Sequence, residues 1–94
     1  MHEKPSFDVF LASIARATGD VSADEYPDIA NVMFAEGRDF NIPDHGIDSL
    51  DLLDIAFAVG RELGVRIDIE EAALEGKPTT IGLLYDHTKL RPLR

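Results

Sequence analysis

The segment Gly46-Ile47-Asp48-Ser49-Leu50-Asp51-Leu52-Leu53-Asp54 sets a serine in the first turn of a strongly amphipathic helix, just after a glycine-containing loop. A serine so placed presents its hydroxyl where unpaired backbone N–H groups and the positive end of the helix dipole converge. That setting welcomes an anionic substituent, and a phosphodiester is a natural candidate. Serine is also frequent at helix starts for capping alone, so the position by itself supports two readings. Asp48, Asp51 and Asp54 recur at i, i+3, i+6, near one face of the helix's first half. A solvated flank beside the dipole's positive end would explain them without any partner. His45, four residues before Ser49, invites a role as a base. A loop holding Pro43 and Gly46 offers no third group to orient it, and no Ser/His/Asp spacing of a hydrolase is present.

Composition narrows the remaining chemistry. The 94 residues suit one compact domain with a thin core. There is no cysteine, which excludes disulfides and thiolate chemistry. His2, His45 and His87 lie far apart without ligand spacing, so no metal site is expected. A formal net charge of −9 repels phosphate backbones and anionic membranes, and it favours encounter with basic surfaces. Solubility alone is the plainer account of that charge. The longest apolar run, Ile55 to Val59, is too short to span a bilayer. Met1-His2-Glu3-Lys4-Pro5 lacks the apolar core of a secretion signal, so a cytoplasmic location is the default expectation.

The elements that must position Ser49 follow from periodicity and punctuation. Phe7, Phe10, Leu11 and Ile14 predict a helix over Ser6 to Thr18, capped by Ser6 and stopped by Gly19-Asp20. Asp20 to Ile47 holds Pro27, Gly37, Pro43 and Gly46, so no long element crosses it. A short helix with Pro27 in its first turn fits up to Glu36, turning Ile29, Val32 and Met33 inward. Phe40 and Ile42 would anchor the loop beyond it. Asp48 to Leu63 is the clearest helix, with Asp48 as cap, Asp51 completing an approximate capping box and Gly64 as terminator. Leu50, Leu53 and Phe57 form one apolar line along it; Leu52, Ile55, Ala56, Val59 and Leu63 form another. So wide an apolar surface predicts contact with several helices or the lining of a cavity. Val65 to Asp68 reads as extended and Ile69 to Glu75 as one or two helical turns. A last helix runs from Thr79 or Thr80 to about Lys89, with Ile81, Leu84, Tyr85 and Thr88 inward. Residues 1–5 and 90–94 are expected to be loose ends of a single domain spanning 1–94. The fold expected is all-α: three main helices plus one or two short ones, with a long loop after the first.

In that frame Asp48-Ser49-Leu50 resembles the Asp-Ser-Leu motif of acyl carrier proteins, whose serine accepts 4′-phosphopantetheine from coenzyme A. A glycine two residues before Asp48, the Gly64-Val65-Arg66-Ile67 exit and the paired Thr79-Thr80 extend the resemblance over roughly Gly46 to Thr88. It implies a small acyl-carrier-like bundle that is not an enzyme, with cargo held as a thioester on an arm at Ser49, flanked by Asp48 and Leu50. It further implies Leu50, Leu53, Phe57, Val59 and Ile67 as an acyl-chain cleft, although ordinary core packing explains each of them as well. Asp48, Asp51 and Asp54 would meet basic patches on a phosphopantetheinyl transferase and on acyl synthases, ketosynthases or acyltransferases. A monomer is implied. The run Gly46 to Ala58 and the triplet Glu75-Gly76-Lys77 are similar to specialised bacterial carriers of very long acyl chains for lipid A. Gly60 and Arg61 stand where carriers of housekeeping fatty-acid synthesis are usually acidic, which points to dedicated partners. Carriage of aminoacyl or polyketide intermediates, or an unmodified helical adaptor docking a partner helix, are the alternatives.

Overall fold

A computed structural model of the chain describes residues 3–22 and 28–91. Its elements in order are α1 (Phe7–Ser22), α2 (Ile29–Glu36), α3 (Ser49–Leu63), β1 (Val65–Ile67), α4 (Ile69–Leu74), α5 (Ile81–Asp86) and β2 (Thr88–Leu90). The result is the small acyl-carrier-like helical bundle, with a two-stranded ribbon added to it.

α1 starts where expected, with the Ser6 hydroxyl accepting from the Val9 amide at 3.3 Å. It does not stop at Gly19. Glycine costs a helix up to about 1 kcal/mol, but Val21 packs against the core and carries the helix to Ser22. Phe10, Leu11, Ile14 and Ala17 are buried where α1 packs on α2, α3 and α5, Phe10 against the Tyr85 ring. The α1–α3 contact also holds Glu62, which accepts from the Ser13 hydroxyl and the Arg16 guanidinium. Arg16 first, then Ser13, holds the Glu62 carboxyl below its ordinary range.

The short helix of the first connection is α2, with Ile29 and Met33 buried and Val32 half-buried. Pro27, expected in its first turn, lies outside the described residues. Two single 3₁₀ turns, Gly37–Asp39 and Pro43–His45, then lead to α3. Phe40 and Ile42 between them are buried, as the anchoring role requires. Their backbones are tied to the α5 end of the molecule: Ile81 donates to the Phe40 carbonyl at 3.1 Å, and Ile42 donates to the Thr79 carbonyl at 2.9 Å.

Both ends depart from expectation. The last helix closes at Asp86 rather than near Lys89. The Thr88 hydroxyl bonds back to the Leu84 carbonyl at 2.7 Å, and Thr88–Leu90 instead pairs antiparallel with β1, Val65 opposite Leu90 and Ile67 opposite Thr88. The backbone groups of the extended β1 segment need partners, and β2 supplies them. Leu90 is therefore held, not loose. Near the other end Lys4 lies 4.0 Å over the Tyr85 ring, and the Tyr85 hydroxyl donates to the Pro5 carbonyl. Residues 4–5 are fixed too.

Gly60 explains how the ribbon reaches α3. A Cβ built there would stand 2.8 Å from the Val65 carbonyl oxygen, so β1 approaches closer than any side chain permits. Gly60→Ala gains helix propensity of about 1 kcal/mol against an overpacking cost of roughly 1–3 kcal/mol. Net destabilisation is expected in urea melts, and a stabilised variant would contradict the close approach.

His87, unremarkable in sequence, links the two short C-terminal helices. Its ring contacts the Glu75 carboxylate and, at 3.0 Å through Nδ1, that of Glu71. Lys77 pairs with Glu75 at 3.2 Å, and Lys89 lies 3.9 Å from Glu71. Glu75 first, then Glu71, raises the His87 imidazole above its ordinary 6.5; His87 and Lys77 lower Glu75 below its ordinary 4.5. The His87 contribution is thus complete below 6.5 and is lost as pH rises through the elevated value. The Glu75 contribution is present above 4.5 and is lost as pH falls through the lowered one. Melting temperature should decline on the alkaline side more steeply in the wild type than in His87→Gln. Parallel declines would exclude the clamp.

Candidate functional site

α3 owes its start to Asp48, which holds extended dihedrals and accepts the Asp51 amide on its side chain at 2.8 Å. Its end is set by Gly64, at φ 68°. Because Asp48 takes the capping role, Ser49, the first helical residue, does not have to. Its side chain is exposed, and its hydroxyl makes no hydrogen bond among the described residues. By position the Ser49 and Leu50 amides have no acceptor within the helix, so the donors and the positive dipole end lie beside a free hydroxyl.

The segment leading into Ser49 is firmly held. Gly46 turns at φ 82°, a left-handed conformation that favours glycine. Ile47 is buried immediately before the cap. An open groove of about 420 Å³ runs beside Ser49, walled by Ile42, Pro43, Ile47, Leu52 and Thr79. His45 is no base for Ser49: its ring stacks on Phe40 with centroids 4.1 Å apart, and Nδ1 meets the Asn41 carbonyl at 2.9 Å. It is half-buried and structural, not a plain surface residue.

The five residues expected to line one cleft part company. Leu53, Phe57 and Ile67 border a second groove of about 330 Å³ between α3 and the β1–α4 segment, joined by Ala56 and Ile69. Leu50 is 73% exposed and lines neither groove, because at the first turn no element crosses over it. Val59 has no exposed surface and belongs to the core, on the side of α3 that α1 and β1 cover. Asp48 and Asp54 are exposed and Asp51 half-buried, all within the first two turns. Sequence reasoning missed the Arg66 and Arg91 contribution to the second groove. The alternation of Val65-Arg66-Ile67 was the available signal, since it turns Arg66 away from the core.

A phosphopantetheine arm fits these residues: an uncrowded hydroxyl at a helix N-terminus is what a phosphodiester requires, and grooves open on either side of the first turns of α3. Comparison with known proteins agrees with that geometry. The acyl carrier protein AcpXL of Rhizobium etli is 50% identical over 42 residues, covering 42% of this chain and 46% of that protein. AcpXL of Rhizobium meliloti is 50% identical over 42 residues, 42% of this chain and 44% of the relative. AcpXL of Mesorhizobium japonicum is 48% identical over 42 residues, 42% of this chain and 45% of the relative. The chain spans less than half the length of each. No solved structure gives a significant match. Residues 11–88, from within α1 to the first residue of β2, match the family described as "Phosphopantetheine attachment site". With that match over most of its length, and with a capped helix presenting a free serine, this chain belongs to the acyl carrier protein family.

Proposed function

We propose that the chain is a non-enzymatic carrier whose 4′-phosphopantetheine is esterified to Ser49. The observation that carries the reading is the Ser49 hydroxyl itself, exposed and unbonded at the start of α3 because Asp48 performs the capping. The arm supplies a terminal thiol that holds an acyl group as a thioester, so the chain needs no cysteine of its own. Its residues then present, shelter and orient. Ser49 anchors; the Ser49 and Leu50 amides face the phosphate's charge. Leu53, Phe57, Ile67 and Ile69 form the apolar shelter for cargo, with Leu50 and Val59 removed from that set. Asp48 and Asp54, exposed on either side of the half-buried Asp51, offer negative charge to a phosphopantetheinyl transferase and to acyl-handling enzymes with basic patches.

Within the family we read the chain as a specialised carrier of long acyl chains for lipid assembly, lipid A included. The likeness to three AcpXL proteins supports this, as do Gly60 and Arg61 in the second half of α3. Loading the holo form with acyl chains of increasing length tests the shelter. Each buried methylene contributes about 0.8 kcal/mol, so melting temperature should climb with chain length until the groove is full. A flat series would remove the shelter and leave the carrier role intact.

A further inference from the structure

The positive charges of this acidic chain are not evenly matched. Arg16, Arg38, Lys77 and Lys89 each face a carboxylate, and Lys4 covers an aromatic ring. Arg61, Arg66 and Arg91 are exposed and form no ion pair among the described residues. Two of those three share one groove, and the third stands close by along α3. Arg66 and Arg91 border the same groove beside Phe57, Arg61 follows Phe57 by one helical turn, and the Arg91 guanidinium lies over Gly60. Asp68 and Glu70 share the groove without pairing to any of them.

The same face of α3 carries the exposed line Leu50, Leu53 and Phe57, the last 65% exposed. It therefore runs from acidic residues around Ser49, over an apolar strip, to a basic cluster. Arg61 lies twelve positions after Ser49, about 18 Å at 1.5 Å per residue. A partner that engages the Ser49 end over an interface of ordinary size, about 800 Å² a side, also covers the far end.

We propose that this face docks an acyl-handling enzyme of reversed polarity, basic beside its active-site mouth and acidic about 18 Å away. The inference rests on the carrier reading and adds the second contact. The apolar strip supplies the buried area, and the two charged ends fix direction, because a partner turned end for end would set like charges together. A partner with a uniformly basic surface is disfavoured at the arginines.

The test is made in the organism that produces the protein. Wild type, Arg61→Glu, Arg66→Glu, the double variant and Arg61→Lys are each recovered from cells, and the ratio of acylated to holo forms is read by intact mass. Taking the ratio within the modified pool removes any effect on arm attachment. Thermal melts confirm folding, and the two single variants lie on different elements, so one reports if the other is lost. The double Glu variant should move the ratio about tenfold, downward if the partner loads cargo and upward if it unloads it. Arg61→Lys should leave it unchanged. An unchanged ratio in the Glu variants, or an equal effect of Arg61→Lys, would overturn the proposal. So would a wild-type dimer that Arg61→Glu dissolves, or sedimentation of the wild type with phosphatidylglycerol vesicles. A wild-type pool that carries no arm would instead sink the carrier reading.

Discussion

Ser49→Ala, incubated with coenzyme A and a broad-specificity phosphopantetheinyl transferase, will gain no mass, whereas the wild type gains one arm. Two of the other serines, Ser13 and Ser6, are poorly suited. Ser13 is 1% exposed and donates to Glu62. Ser6 is exposed, but its oxygen accepts the Val9 amide as the cap of α1. Ser49 also starts a helix, yet Asp48 has relieved it of that duty, leaving both lone pairs and proton available. Loss of modification will not reflect unfolding. An exposed, unbonded hydroxyl replaced by a good helix former should change stability by no more than about 0.5 kcal/mol. Intact mass and a thermal melt on the same sample decide the matter. An arm on Ser49→Ala would move the attachment elsewhere.

Phe40→Ala should produce the largest loss of stability. Phe40 is fully buried, stacks on His45, and sits where the backbone of the first connection is bonded to α5 through the Ile81 amide. Truncating a buried phenylalanine costs roughly 3–5 kcal/mol. A chain of this size holds only about 5–14 kcal/mol in all, at 0.05–0.15 kcal/mol per residue. Much of the folded state's margin therefore rests on one ring. Loss of that ring also releases the 3₁₀ turns that deliver Gly46 and Ile47 to the start of α3, so modification of Ser49 should slow as well. Urea denaturation reads the first effect and the rate of arm attachment the second. A cost below about 1 kcal/mol would show that the connection is held by its backbone bonds rather than by Phe40.

Most of α3 was legible in the residues themselves. Its cap and its terminator are decided within a few positions of chain, by a carboxylate reaching an amide three residues on and by a glycine free to adopt φ 68°. The same local logic gave α2, α4 and a cap for α5 at Thr79 or Thr80; it is the Thr80 hydroxyl that accepts the Leu83 amide, at 3.1 Å. Hence the sequence by itself determined the bundle and the free serine at its focal point.

Only the tertiary structure decided which apolar residues are covered. Periodicity shows that Leu50 and Val59 lie on apolar lines of α3; it cannot show that α1 and β1 close over one line while nothing crosses the other at its first turn. The run of α1 past Gly19, the β1–β2 ribbon and the arginine cluster are likewise products of distant segments meeting. The ribbon and the arginines depend on contacts across tens of residues, such as Arg91 against Gly60 and Leu90 against Val65. Local patterning specifies a surface's character, and the packing of remote segments determines whether that surface becomes core, groove or docking face.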